Sequence, residues 1–568
     1  MATDGVKKIP IGLSSFSQIQ TDGYYYVDKT QYIEMIENLN TKYPVLLRPR
    51  RFGKTLFVNT MQAYYDIKEA ENFLKLFGDT YIGNHKTLLA NSYYVLHFDF
   101  SGLDTSNMAA IKESFGENVK DSISAFLEYY HIDMPLNENA GLVSYTNSFL
   151  TKLKGQTSHK LYIMVDEYDH FANAMLSSKD AFTGATGKDG FIRSFYEVLK
   201  KHAGSILDRI FITGVTSLTL DSLTSGFNIA KNISLKGSLN GALGFTKDDV
   251  LELINCMKIP NKEETMRLLT KYYNGYAFSN ATDERMFNSN MILYYIDSYV
   301  EDGCRPDRMA DPNMMSDYEK LTSMFDLFQD ERKKETVLQK LIDGEATTAQ
   351  LMQSFTLSTH FSYDHFISLL YYLGLLTIKS RLGDGNYEFK VPNRVMLETY
   401  YDYYLTYLTN RSGILESDVN DALEALEANN AEPLTAIVEK MLQESTPNSD
   451  RYMIHFRENA LQMLFYLVLR KSKNHDVEME RKVDTKGYAD IVCSPRVGSD
   501  PTYLFEFKYR SAAKYEEDNA VLDEAISEAK TQLNTYSSRF LNVKCVAIVF
   551  IGKECRHKET WEHQQQNT

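Results

Sequence analysis

The chain has 568 residues, too many for one ordinary core, so three or four domains are expected. Hydrophobic residues make up 43% and charged residues 24%, the balance of a soluble globular protein. A formal net charge of −15 excludes a general affinity for nucleic acid but leaves room for a local basic groove.

The opening MATDGVKKIPIGLSSF has no long apolar core, so no signal peptide is expected. Apolar runs elsewhere are short or broken by charge, which predicts no membrane span. Four buried-looking strands follow in the first half: YPVLLR (43–48), SYYVLHFDF (92–100), KLYIMVDE (160–167) and DRIFITGV (208–215). Amphipathic stretches separate them, which predicts a parallel sheet covered by helices.

The first strand runs into VLLRPRRFGKTLFV (45–58). Its Gly53-Lys54-Thr55 is the end of a phosphate-binding loop, where backbone N–H groups wrap phosphates at a helix N-terminus. Lys54 would contact the β- and γ-phosphates and Thr55 would bind Mg²⁺. The pattern normally opens with Gly, and that position is Arg48. Alone, the match is weak, because any Gly-Lys-Thr between strand and helix reads the same way. LYIMVDE strengthens it: Asp166 at a strand end is a candidate for the Mg²⁺ shell, and Glu167 for positioning the attacking water. The spacing of roughly 110 residues fits a chain returning to the neighbouring strand. FITGVTS adds Thr213, Thr216 and Ser217 as candidate γ-phosphate sensors.

From about 296 to 445 the chain is mostly helical by period. Short helices there precede strand–turn–strand, with Gly383-Asp384-Gly385-Asn386 as the turn, the order of a winged helix. A small helical linker with a hairpin reads equally well. The helix DHFISLLYYLG is apolar rather than basic, which favours packing over nucleic-acid reading.

After about 446 a helix (ENALQMLFYLVLRKS) leads to VEMERKV, YADIVCS and TYLFEFKYR, then to a long helix over 515–536 and the strand VKCVAIVFIG. This αβββαβ order predicts a separate small α/β domain. Asp490 sits on one strand; Glu506 and Lys508 sit two apart on the next and so share a face. Two carboxylates on adjacent strands can hold Mg²⁺ or Mn²⁺, and a lysine beside them can orient water or stabilise phosphoryl charge. A charged strand face gives Glu-x-Lys often, but Leu504, Phe505 and Phe507 make this strand apolar. The five cysteines (Cys256, Cys304, Cys493, Cys545, Cys555) lack metal-site spacing and read as reduced thiols of a cytoplasmic protein.

Residues 7 to about 295 resemble the AAA-ATPase-like family, mostly bacterial proteins related to STAND and archaeal ATPases. The landmarks are IPIGLSSFSQIQTDGYYYVDKT, RPRRFGKTL, VDEYDH, FITGVTSLTLDSLTSGFNIAKNISL, GALGFTKDDV and YYNGYAF. Residues from about 450 to 553 resemble the PD-(D/E)XK nuclease-like domain often attached to that family. The resemblance implies a P-loop domain (1–295), a helical region with a winged-helix-like segment (296–445) and a restriction-endonuclease-like α/β domain (446–568).

It further implies ATP and Mg²⁺ binding by Gly53, Lys54, Thr55 and Asp166, with Glu167 catalytic. It implies Asp490 and Glu506 as metal ligands and Lys508 as the catalytic lysine. Further candidates are Arg50, Arg51 and Asp28 near the nucleotide, Asn228 in FNIAKN, and Glu458 and Gln532 near the nuclease-like site. Asp28 or Thr30 reads equally well as a helix cap. FNIAKN departs from the family's Leu-Asn-Asn type sequence, and Tyr488 stands where the family often has Arg. The function expected is an ATPase coupled to a nuclease acting on nucleic acid, DNA rather than RNA. The alternative is a nucleotide-dependent switch or scaffold that does not cleave. A homo-oligomer or a protein partner is compatible with either, and the sequence does not single out an arginine finger from candidates such as Arg193 or Arg209.

Overall fold

A computed structural model describes residues 7–171, 190–217, 227–279, 281–306, 308–311, 315–353, 361–444, 458–484, 487–496, 500–540 and 542–562. Residues 218–226, part of the FITGVTSLTLDSLTSGFNIAKNISL landmark, lie outside the described residues. The chain divides into two compact units, Met1–Tyr400 and Tyr401–Thr568. Among the described residues no helix is long and apolar enough to cross a membrane.

The first unit is built on a five-stranded sheet of β1 (Pro44–Leu47), β2 (Tyr93–Asp99), β3 (Lys160–Asp166), β4 (Leu207–Gly214) and β5 (Lys231–Asn232). Every pairing is parallel, and the order is β2-β3-β4-β1-β5. All four residues of β1 are buried, and six of seven in β3. Continuous apolar runs of this kind belong to strands covered on both faces. One expectation is corrected: β3 does not neighbour β1, because β4 pairs with both and lies between them. The sequence interval between two motifs fixes how much chain must cross over, but not which strand later fills the gap.

The same unit contains helices Met315–Leu327 and Glu331–Ile342, then β6 (Thr347–Gln350), helix Tyr363–Tyr372, β7 (Thr377–Gly383) and β8 (Asn386–Lys390). The strands form an antiparallel sheet in the order β6-β8-β7. Asp384 and Gly385 turn the β7–β8 hairpin with φ of 50° and 78°, the two left-handed positions such a turn requires. β6 is an addition to the sequence reading; TTAQ is short and carries little pattern. Helix Tyr363–Tyr372 is buried from Phe366 to Tyr372, in keeping with a packing element. This segment is bonded to the body of the unit: Thr377 Oγ1 accepts from the Ala277 N–H at 2.8 Å, and Arg285 donates to the Ile378 carbonyl at 2.7 Å.

The second unit holds a mixed sheet of β9 (His475–Asp484), β10 (Gly487–Pro495), β11 (Thr502–Arg510), β12 (Val543–Ile551) and β13 (Glu554–Glu562). β11 and β12 are parallel and the other pairs antiparallel, in the order β13-β12-β11-β10-β9. Phe507 faces Phe465 of helix Glu458–Leu469, with ring centres 4.7 Å apart. On the other side, Leu504 clusters with Ala529 and Leu533 of helix Ala520–Ser537. The sequence reading ended at β12; β13, ECRHKETWE, is too polar to announce itself as a strand.

Gly275 has a φ of 106°, and a Cβ there would stand 2.0 Å from the Pro392 carbonyl oxygen. Gly275→Ala is expected to destabilise the first unit by about 2–4 kcal/mol, from backbone strain plus overpacking. Urea denaturation followed by tyrosine fluorescence checks this; an unchanged midpoint contradicts it.

Candidate functional site

The turn after β1 delivers Gly53, whose φ of 87° lies in the left-handed region, directly to helix Lys54–Tyr65. No side chain caps that helix, so its first N–H groups are available to an anion. Gly53, Lys54 and Thr55 line a cavity of about 330 Å³ together with Glu167. Tyr25, Lys29 and Phe245 also line it. Lys54 Nζ lies 3.5 Å from Glu167 Oε1 and donates to the Pro49 carbonyl at 3.3 Å.

Asp166 ends β3 and is 1% exposed. Burial pushes its carboxyl up to about 6, with the Thr55 side chain partly offsetting this. One carboxylate oxygen accepts from the Glu167 N–H at 2.9 Å; the other, Oδ2, is buried without a hydrogen-bond partner. The structure therefore brings Gly53, Lys54, Thr55, Asp166 and Glu167 together.

The flanking candidates divide. Arg50 and Arg51 line the cavity. The Arg51 carbonyl is fixed by Ser289 Oγ at 3.0 Å and by the Asn290 N–H at 3.3 Å. Arg48 does not line it. Its guanidinium is buried, donates to the carbonyls of Leu47 (2.8 Å), Ser234 (3.0 Å) and Leu239 (2.7 Å), and sits 4.2 Å from the centre of the Phe278 ring. Burial lowers its pKa to about 10, which leaves it charged at neutral pH. Arg48 thus ties the end of β1 to the segment that follows β5.

Asp28 is bound by the N–H and hydroxyl of Thr30 (2.8 and 2.7 Å) and by the Tyr81 N–H (2.6 Å), and does not line the cavity. Its neighbour Lys29 does, paired with Asp249. Asn228 is exposed in the turn before β5, outside the cavity lining. The polar end of β4 is engaged within the protein: Thr213 Oγ1 donates to the Leu46 carbonyl (2.9 Å), Thr216 Oγ1 to Asp169 (2.6 Å) and Ser217 Oγ to the Met352 carbonyl (3.4 Å). Arg193 pairs with Glu197 at 3.0 Å along its own helix, and Arg209 lies 4.0 Å from Asp208.

In the second unit, Glu506 and Lys508 project from β11. Lys508 Nζ reaches Glu506 Oε1 at 2.8 Å and Glu458 Oε1 at 3.4 Å. The other oxygen of Glu458 accepts from the Tyr509 N–H at 3.3 Å. Asp490, on β10, accepts from the Phe507 N–H at 2.7 Å. Burial pushes Asp490 up to about 6; burial and then the Asp490 charge push Glu506 up to about 8.

Glu506 Oε2 is buried with no hydrogen-bond partner, and so is Gln532 Oε1 on helix Ala520–Ser537. Among the described residues no group of three or more His, Cys, Asp and Glu gathers as a complete protein cage for a metal. Two crowded carboxylates with a buried oxygen left over fit a hard divalent cation that keeps several waters. Tyr488, 57% exposed, follows a register irregularity in β10.

Three residues escaped the sequence reading. Gln462, buried one turn beyond Glu458, partly offsets through its side chain the rise that burial gives the Asp490 carboxyl. Tyr536, one turn beyond Gln532, is raised by burial and then by Glu506 and Asp490. Both could have been found by asking which polar side chains recur at i+4 from a candidate on an otherwise apolar helix face. Asp169 stands three residues after Asp166 in VDEYDH, and its full burial is what sets it apart.

Residues 10–224 match the family described as a predicted AAA-ATPase. Residues 456–560 match the PD-(D/E)XK nuclease superfamily. The chain therefore joins an AAA-ATPase-like domain to a C-terminal domain of the PD-(D/E)XK nuclease superfamily. A relative described as an uncharacterized protein in the vnfD 5′ region of Azotobacter chroococcum mcd 1 is 26% identical over 296 residues. That match covers 50% of this chain and 51% of the relative, so the chain spans about half the length of the relative it matches. Among solved structures, a Walker-type ATPase of Pyrococcus abyssi aligns with a TM-score of 0.35 and 11% identity, over 66% of this chain and 94% of that one. The ORC2 protein of Aeropyrum pernix aligns with a TM-score of 0.26 and 10% identity, over 66% and 91%.

The raised Glu506 carboxyl has a consequence for stability. Its contribution is fully present below the ordinary 4.5 and is lost as pH rises through about 8, because the folded state then holds a buried charge. Glu506→Gln removes that charge while Glu458 remains beside Lys508. The variant is expected to match wild type near pH 4.5 and to melt on the order of 2–4 °C higher at pH 9, the size of about 1 kcal/mol in a domain of this length. Thermal unfolding across that range checks it; a gain that shrinks with rising pH contradicts it.

Proposed function

We propose that the first unit binds and hydrolyses Mg²⁺-ATP and that the C-terminal domain is a metal-dependent nuclease acting on DNA. The observation that carries both halves is a buried carboxylate with one unanswered oxygen in each place: Asp166 beside Thr55, and Glu506 beside Asp490. An unpaired buried carboxylate oxygen is costly, and a divalent cation relieves that cost at both.

In this reading the free N–H groups after Gly53 hold the phosphates and Lys54 neutralises them. Thr55 and Asp166 hold Mg²⁺, and Glu167 orients the attacking water. Arg50 and Arg51 add positive charge to the cavity wall. In the C-terminal domain Asp490 and Glu506 hold Mg²⁺ or Mn²⁺, which when bound polarises a phosphoryl oxygen and lowers the pKa of its water. Lys508 meets the charge that develops on the phosphate. Glu458 and Gln532 complete the polar wall, and Gln462 holds Asp490 in place. Functionally the chain divides into 1–295, 296–445 and 446–568, with the winged-helix-like middle packing rather than reading sequence.

A second reading, a nucleotide-dependent switch that binds nucleic acid without cutting it, has Tyr488 in its favour. An exposed phenol stands where the resembling family often carries Arg.

Purified protein, single- and double-stranded DNA and Mg²⁺ or Mn²⁺, with and without ATP, separate the two. Cleavage that falls about 100-fold or more in Lys508→Ala is the expected result. Wild type as inert as Lys508→Ala with both metals sinks the nuclease and leaves the switch. Independently, Lys54→Ala is expected to weaken ATP affinity by about 100-fold, the loss of a phosphate ion pair of roughly 3 kcal/mol. Unchanged affinity refutes the phosphate-loop assignment.

A further inference from the structure

Glu167 has a φ of 51°, a conformation that residues other than glycine rarely adopt. Something must hold it there, and the next residues do. The Tyr168 N–H donates to the Thr213 carbonyl at 3.1 Å, and the Tyr168 hydroxyl to the Thr216 carbonyl at 2.6 Å. Asp169 is fully buried, and both its oxygens face the end of β4. Oδ1 accepts from the Val215 N–H at 3.0 Å. Oδ2 accepts from the Thr216 N–H at 2.7 Å and the Thr216 hydroxyl at 2.6 Å. The approach is so close that a Cβ on Gly214 would stand 2.3 Å from Asp169 Oδ1 and 2.5 Å from the Tyr168 ring.

The end of β4 is in turn fixed to the phosphate loop. The Arg48 N–H donates to the Gly214 carbonyl at 3.2 Å, and Thr213 Oγ1 to the Leu46 carbonyl at 2.9 Å. A continuous set of hydrogen bonds therefore runs from the turn 167–170, through the end of β4, to the end of β1 that leads into the turn with Gly53 and Lys54. β3 and β1 are not neighbours, so this is how the two halves of the cavity's phosphate end keep their spacing.

We propose that Asp169 is a positioning residue for nucleotide turnover, fixing Glu167 relative to Lys54 by tying its turn to the end of β4. The proposal rests on the nucleotide reading above. Asp169 lies outside the cavity lining, so its loss separates binding from the geometry needed at the transition state.

The test uses the full chain with Asp169→Asn, which keeps the shape but replaces one accepting oxygen with a donor, and Thr216→Val, which removes one of the three bonds. Affinity is measured for Mg²⁺-ADP alone and with aluminium fluoride, a mimic of the phosphoryl group in flight, alongside the melting temperature. Asp169→Asn is expected to bind ADP within about threefold of wild type and the aluminium fluoride complex at least about tenfold more weakly, with a smaller loss of the same kind in Thr216→Val. Equal aluminium fluoride affinity in Asp169→Asn and wild type overturns the proposal. So does a parallel loss of ADP affinity, which marks a merely structural residue. Wild type that fails to bind ADP at all fells the nucleotide reading and this proposal with it.

Discussion

The constraint on which both candidate sites depend is the burial of a carboxylate beyond what the protein itself can satisfy. Asp166 and Glu506 are each 1–2% exposed, and each has one oxygen bound and one without a partner. Taking such groups out of water is expensive, and the price appears as pKa values raised to about 6 and about 8. An apolar strand does not carry these groups for stability. They lie at the end of β3 and midway along β11, and a lysine stands near each: Lys54, 3.5 Å from Glu167 and partly offsetting the rise at Asp166 by its charge, and Lys508, 2.8 Å from Glu506.

The loop after β1 shows how a left-handed Gly53 can be led into a helix start without a glycine at position 48. Arg48 occupies the place of the first glycine without entering the cavity. Its side chain turns into the protein and binds three carbonyls there. The loop's shape is then set from behind, by Arg48, by the Ser289 and Asn290 contacts to the Arg51 carbonyl, and by Gly374, whose missing side chain leaves room for Pro49. The β6–β8 segment is thus part of the wall behind the loop rather than an appendage.

Much of this was legible in the sequence. Strands β1 to β4 announced themselves as apolar runs, and the glycine–lysine–threonine ending placed a helix start after the first. In β11, period-two alternation alone puts Glu506 and Lys508 on one face. What escaped has identifiable causes. Strand order depends on contacts across the sheet, so the place of β4 between β1 and β3 could not be read from spacing. Asp28 and Lys29 are adjacent, yet only the second lines the cavity, because Asp28 is consumed by Thr30 and Tyr81. Asp169 and Gln462 looked like ordinary polar residues, and only burial distinguishes them. β13 has the composition of a tail and is a strand because β12 offers it an edge.

Anomalous scattering from crystals grown with Mn²⁺ and a non-hydrolysable ATP analogue tests the central claim most directly. Two manganese peaks are predicted: one within bonding distance of Thr55 or Asp166 and the analogue's phosphates, the other bound by Asp490 and Glu506. Clear density for the analogue with no manganese at Asp166, or a well-ordered C-terminal domain with no manganese at Glu506, contradicts the claim for that site.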